Sequence, residues 1–173
     1  MDEIKTTDNL NELLDVVDEN DRVIGSATRG ECNGNPSVIH RAAYALIFNS
    51  EGKLFLHKRS KTKDTCPGMW SISVAGHVTQ GETYEETIAR EIIEEIGTIL
   101  KVEFLDKYLL QHKSENEYSA IFRGYSDGPF ELNPKEIEEG DFFRMDTIRN
   151  IMWRGLTPFS QMVLENLASR NLL

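Results

Sequence analysis

Apolar and polar positions in this chain follow two periods, and their order predicts the elements. Short runs rich in Val, Ile, Leu, Phe and Tyr, bounded by turn-forming residues, lie at 13–17, 22–28, 40–48, 53–58, 71–75, 101–112 and 117–125, and each reads as a strand. The tetrads DEND at 18–21, NSEG at 49–52 and KSEN at 113–116 each join two such runs as a hairpin turn would. The run HRAAYALIF at 40–48 is apolar enough for a central strand. Residues 30–38, 59–70 and 126–139 read as loops, with a last short strand at 141–145 and helices near 147–153 and 158–169. Residues 1–11 are polar and aperiodic, which predicts a flexible N-terminus ahead of a single domain over 12–173.

The helical period is strongest between Gly76 and Thr98. Thr83 stands at an N-cap with Glu86 three residues on, a capping box, and Gly97 stops the helix. At 100° per residue Ile88, Ala89, Ile92 and Ile96 make an apolar stripe, and Glu91, Glu94 and Glu95 gather along one side of it. Like charges at this spacing cost roughly 0.2–0.5 kcal/mol per solvated pair and more when desolvated, so acids bordering a buried stripe call for a cation. Arg90 is the stretch's one basic residue, and a hard divalent metal is the natural further candidate. Glu85 and Glu86, in the first turn where the dipole favours anions, read as solvated.

Composition narrows the chemistry. At 173 residues the chain is long enough to bury a sizeable core, and its net charge of −10 argues against binding a nucleic-acid backbone. No apolar run approaches the ~18 residues of a membrane span, and the first residues lack a signal-peptide pattern, so a cytoplasmic protein is expected. Cys32 and Cys66 form neither a disulfide framework nor a zinc motif, and free thiols are expected. Arg59, Lys61 and Lys63 concentrate positive charge in one loop of an acidic chain, which suits an anionic small molecule as well as plain surface. The N-terminal hairpin and C-terminal helix offer a surface for a homodimer.

The spacing Gly76-x5-Glu82-x7-Arg90-Glu91-Ile92-x-Glu94-Glu95-x-Gly97 resembles the signature of the Nudix family, hydrolases of diphosphates linked to another moiety. Thr98 stands where that signature usually closes on an aliphatic residue. The resemblance implies an α/β/α sandwich with a mixed β-sheet, the signature forming a loop-helix-loop against it. It implies Glu91, Glu94 and Glu95 as ligands of Mg²⁺, with Mn²⁺ a possible substitute, and Glu91 as a group that orients or deprotonates water. Glu82 and Arg90 would brace the loop on the helix, with Gly76 and Gly97 at its ends.

From His40 to Val163 the chain is also similar to the type I isopentenyl-diphosphate isomerases, a branch of the same fold that moves a double bond. That likeness implies metal or acid/base roles for His40, His77, Glu95, Glu115 and Glu117, and diphosphate contacts from Arg59 and Lys63. It fails where the isomerase needs a cysteine to move a proton, because Ala75 stands there, and a methyl group transfers none. Gln161 falls at its carbocation-shielding aromatic and Asn33 at a further metal histidine. Three readings follow. A Mg²⁺-dependent hydrolase of a small diphosphate leads, with an isomerase of altered acid/base set and a non-catalytic diphosphate-binding module as alternatives. His40 and His77 stay open between ligand and hydrogen-bonding roles. Glu136, Glu138 and Glu139 lie between a general base and a solvated run, and Trp70 and Trp153 read as core or rim aromatics.

Overall fold

The computed structural model describes residues 6–173. Among the described residues nine strands make one mixed sheet, with β1 (Leu13–Val17), β2 (Val23–Thr28), β3 (Ile39–Phe48), β4 (Leu54–Arg59) and β5 (Trp70–Ile72) preceding β6 (Val74–His77), β7 (Val102–Gln111), β8 (Asn116–Tyr125) and β9 (Ile137–Phe143). β3 is the hub. It runs parallel to β8 from Ile39 opposite Asn116 to Phe48 opposite Tyr125, and antiparallel to β6 from Ala42 opposite His77 to Ala45 opposite Val74.

The pleat of β3 explains why its sequence shows no alternation. Ala42, Tyr44 and Leu46 join one core with Val163, Leu164 and Leu167 of helix α4 (Pro158–Ser169). Ala43, Ala45 and Ile47 join a second core with Ile88, Ile92 and Ile96 of helix α2 (Tyr84–Ile96). A strand covered on both faces must be apolar at every position. Each fully buried isoleucine of α2 contributes roughly 1.5–3 kcal/mol. Helix, mixed sheet and helix form the α/β/α sandwich.

α2 begins and ends where the sequence predicts. Thr83 accepts from the Glu86 N–H while the Glu86 side chain accepts from the Thr83 N–H, and Gly97 closes the helix in the left-handed region at φ 64°. Its buried face is rotated from the predicted stripe. Ala89 is exposed, and Thr87 and Glu95 are buried with the three isoleucines. The sheet thus meets α2 on its acidic side.

Other boundaries differ from expectation. Residues 6–11, expected to be part of a flexible terminus, are tied down: Thr7 N–H donates to Thr62 O, Gly30 N–H donates to Leu10 O, and Asp8 pairs with Lys63. Residues 1–5 lie outside the described residues. The segment read as loop at 30–38 begins with a short helix, α1 (Arg29–Cys32), started by a capping box of Thr28 and Glu31. The strand expected at 71–75 is split between β5 and β6 at Ser73, whose hydroxyl donates to Phe55 O and accepts from Ile47 N–H. β9 begins at Ile137, inside the segment read as loop. The helix expected at 147–153 is an irregular coil of three short turns over 145–155, its first turn α3 (Met145–Thr147). Cys32 and Cys66 are both free. Among the described residues no helix is long and apolar enough to cross a membrane.

Candidate active site

Strand register brings distant residues together at one end of the sheet. His40 lies opposite Glu117 in the β3–β8 pair, and Ala42 lies opposite both His77 on β6 and Ser119 on β8. The alternation that puts Ala42 and Tyr44 in the α4-side core therefore puts His40, His77 and Glu117 in one cluster. The imidazole rings are 4.8 Å apart, edge to face, and each Nε2 is 3.8 Å from Glu117 Oε1. That distance is too long for a hydrogen bond. Burial first, then the charge of the neighbouring His77, lowers His40 to about 3, and burial likewise takes His77 to about 3. Both rings are neutral near pH 7, so neither pairs with Glu117 as a salt bridge.

α2 supplies the second cluster. Arg90 grips Glu82 with two hydrogen bonds, Nε to Oε1 at 3.0 Å and Nη2 to Oε2 at 2.9 Å, and Thr87 donates to the same carboxylate at 2.8 Å. Its remaining nitrogen, Nη1, reaches Glu91 Oε1 at 2.7 Å and Glu94 Oε2 at 3.3 Å. A Cβ on Gly76 would lie 2.1 Å from Glu91 Oε1, so only glycine lets that carboxylate cross β6. Glu95 is buried and accepts from Ala75 N–H at 3.4 Å. Glu94 stands at the rim with half its side chain exposed.

His77 and Glu117 of the first cluster and Arg90, Glu91, Glu94 and Glu95 of the second line one cavity of about 360 Å³, together with Glu115, Glu136, Arg59 and Lys63, while His40 is fully buried and off its wall. Its electrostatics are lopsided. Burial, only partly offset by Arg90, pushes Glu91 up to about 7, and burial with the Glu117 charge pushes Glu115 up to about 7. Glu95 is driven well above the usual carboxylate range by burial and then by Glu91, and Glu117 is raised by burial against the pull of His40 and Tyr44. Tyr44 O–H donates to Glu117 Oε2 at 2.5 Å. Burial, with too little positive charge to offset it, thus shifts all four carboxylates toward the protonated form.

That deficit, and the donors themselves, fit a divalent cation. His40 Nδ1 and Nε2, His77 Nδ1 and Glu115 Oε2 are buried without a hydrogen-bond partner among the described residues. Ligand atoms of His40, His77 and Glu117 lie within 4.8 Å of one another, a spacing that one ion can span. Glu91, Glu94 and Glu95 offer only oxygen, the preference of Mg²⁺.

The cations divide more finely than the sequence suggests. Arg59 donates through Nε and Nη2 to Thr65 O at 3.1 and 2.9 Å, which fixes its guanidinium at the cavity. Lys63 Nζ is 2.5 Å from both Asp8 Oδ1 and Glu136 Oε2. Lys61 lies on the surface and pairs with Glu138, which also pairs with Lys58, as does Glu139. Glu136 alone of the late acidic run reaches the cavity.

Sequence reasoning missed Arg29, which lines the cavity and is held by Asp64 at 2.6 Å, Asp8 at 3.2 Å and Glu12 at 3.4 Å. The Thr28–Glu31 capping box was the signal that could have placed it at the start of a helix rather than in a loop. Asn33 donates to Asp64 at 2.8 Å, and its Oδ1 is buried without a partner among the described residues. Gln161 is spent on Trp153 O at 2.6 Å, and Phe159 is an aromatic at the cavity wall. Trp70 packs edge to face on Phe143, and both tryptophans pack against the α4-side core.

Comparisons with known proteins agree with this geometry. The family model described as NUDIX domain matches residues 38–162. The chain is 40% identical over 154 residues to an uncharacterized Nudix hydrolase of Streptomyces coelicolor, across 87% of this chain and 77% of the relative. It is 29% identical over 141 residues to isopentenyl-diphosphate Delta-isomerase 1 of Photorhabdus laumondii, across 78% of this chain and 80% of that one. The crystal structure of DR0079 from Deinococcus radiodurans matches with a TM-score of 0.78 at 27% identity, covering 89% of this chain and 98% of that chain. The chain belongs to the Nudix hydrolase family.

Proposed function

We propose that the protein is a Mg²⁺-dependent hydrolase of a small diphosphate, a nucleoside diphosphate derivative or a similar compound, rather than a nucleic-acid enzyme. The observation that carries this reading is the convergence of the carboxylates Glu91, Glu95, Glu115 and Glu117, each shifted toward its protonated form chiefly by burial, on a cavity that also presents Arg59 and Lys63. Glu91, Glu94 and Glu95 would hold Mg²⁺. His40, His77 and Glu117, with Glu115 beside them, offer a second position whose imidazoles suit Mn²⁺ better.

Bound divalent cations neutralise a diphosphate and lower the pKa of water. The chain's own residues do the rest. Arg59 and Lys63 bind the phosphate oxygens, and Arg59 arrives pre-oriented by Thr65. Arg90 holds Glu91 in place and is itself held by Glu82. Glu91, fixed by Arg90 at the cavity wall, would orient the attacking water and take its proton. Attack on phosphorus then breaks the P–O–P bond and releases the distal phosphate group.

Phosphate release with Mg²⁺ or Mn²⁺, screened across nucleoside diphosphates, nucleotide sugars, dinucleoside polyphosphates and isoprenoid diphosphates, is expected to find a substrate. Glu94→Gln and Glu95→Gln should each abolish that turnover while leaving the circular dichroism spectrum unchanged, and full activity in either sinks the assignment.

The isomerase reading draws support from the likeness to the Photorhabdus enzyme and from the His40–His77–Glu117 cluster. It predicts rearranged product without phosphate release from isopentenyl diphosphate, read by NMR. Ala75, on the cavity wall, offers no proton for that step.

A further inference from the structure

The segment ahead of β1 lies on the cavity, and Thr7, Asp8 and Asn9 form part of its wall. Asp8 makes the contacts there that a phosphate group would make. Its Oδ1 is 2.5 Å from Lys63 Nζ and 3.2 Å from Arg29 Nη2, and its Oδ2 accepts from the backbone N–H of Asp64 at 2.8 Å. Two cations and a backbone N–H converging on one anionic group is the usual dress of a bound phosphate oxygen set. Thr7 fastens the segment beside it, its N–H donating to Thr62 O at 3.1 Å and its hydroxyl 3.1 Å from that of Thr62.

Charge balance does not require Asp8. Lys63 already has Glu136 at 2.5 Å, and Arg29 already has Asp64 and Glu12. Four carboxylates therefore share two cations. Glu12 adjoins β1, Glu136 adjoins β9, and Asp64 is anchored through both Arg29 and Asn33. Asp8 sits on a length of chain outside the sheet, so its release would move no strand.

We propose that residues 6–9 are a pseudosubstrate strap, in which Asp8 occupies a phosphate position on Lys63 and Arg29 and must be displaced for a diphosphate to bind. The proposal rests on the reading of Lys63 as a phosphate contact. Affinity for an incoming diphosphate is then reduced by the fraction of molecules in which the strap is closed. The strap discriminates against weakly charged ligands, because only an anion stronger than one carboxylate repays its release.

Calorimetric titration with methylenediphosphonate, which cannot be hydrolysed, in the presence of Mg²⁺ tests this on the full chain. Asp8→Ala should bind the probe about tenfold more tightly than the parent. Weaker binding would mean that Asp8 builds the site, and would overturn the proposal. A second variant answers the question even where Asp8→Ala disturbs the fold. Thr7→Cys with Thr62→Cys, in a Cys66→Ser background, can be cross-linked to hold the strap closed. Oxidised protein should lose roughly tenfold or more in affinity and recover it with dithiothreitol, whereas equal binding in both redox states overturns the proposal. Lys63→Ala separates the two levels of inference. If it leaves probe binding unchanged, the phosphate reading and the strap fall together. If it weakens binding while neither strap variant has the expected effect, the strap falls alone.

Discussion

Glu91 shows how much one side chain can depend on an absent one. Its carboxylate is pushed up to about 7 by burial, is held by Arg90 at 2.7 Å, and passes through the space that a side chain on residue 76 would fill. A Cβ there would meet not only Oε1 but also Glu91 Cδ at 2.2 Å and Cγ at 2.5 Å, so rotating the carboxylate alone gives no relief. Gly76→Ala should therefore expel Glu91 from the cavity at a cost in stability of about 1–3 kcal/mol, the range for overpacking a filled interior. Mg²⁺ affinity, measured by calorimetry, should drop on the order of tenfold, the effect of losing one well-placed carboxylate. Unchanged affinity in a folded Gly76→Ala protein would show that Glu91 is no ligand.

α2 converts sequence periodicity into chemistry because its buried face includes acids. Its end matters as much as its start. Gly97 has φ 64°, and a Cβ on it would approach Glu131 Cβ and O to 2.8 Å. Gly97→Ala is thus strained twice, by the left-handed backbone and by the neighbouring chain, and should lower stability by roughly 1–3 kcal/mol. Thermal denaturation measures this, and a loss below the cost of a simple glycine C-cap replacement would contradict the close approach. α2 was legible because three independent signals agree on it: the cap at Thr83, the stop at Gly97 and the isoleucines between. Its rotation toward Glu95 was not, because periodicity places a stripe but not which flank the sheet will cover. β9 was half hidden by its own composition, since IEEGDFF carries charges that read as loop. The pinning of residues 6–11 comes from ion pairs between residues far apart in sequence, such as Asp8 with Lys63, and Arg29 meets Asp64 across 35 positions. Such pairs leave no local pattern. The gathering of Glu91, Glu94 and Glu95 on one flank of α2 was readable from spacing, whereas the meeting of His40 with Glu117 depends on strand register, which only the folded sheet sets.

The whole molecule's response to pH follows from these opposed groups. A carboxylic acid whose folded pKa exceeds its unfolded value holds its proton more tightly when folded, so its contribution to stability is complete below the unfolded pKa and is lost as pH rises through the folded one. Glu91 and Glu115, moved from 4.5 to about 7, therefore destabilise the metal-free protein as pH rises across that interval, and Glu95 and Glu117 act in the same direction. His40 and His77 act the other way. Lowered from 6.5 to about 3, they are neutral when folded and protonated when unfolded, so their contribution grows with pH and is fully present above 6.5. Above about pH 6.5 only the carboxylate effect still changes, and the melting temperature of the metal-free protein should fall by a few degrees on the way to about pH 8. Mg²⁺ binds the deprotonated carboxylates, so its stabilisation should be larger at the higher pH, and binding near neutrality should release on the order of one proton. Thermal melts with and without Mg²⁺ measure the first effect, and calorimetry in buffers of different ionisation enthalpy measures the second. A metal-induced shift that stays constant with pH, with no proton released, would mean that these carboxylates are already ionised in the metal-free fold, with no charge deficit there for a metal to fill.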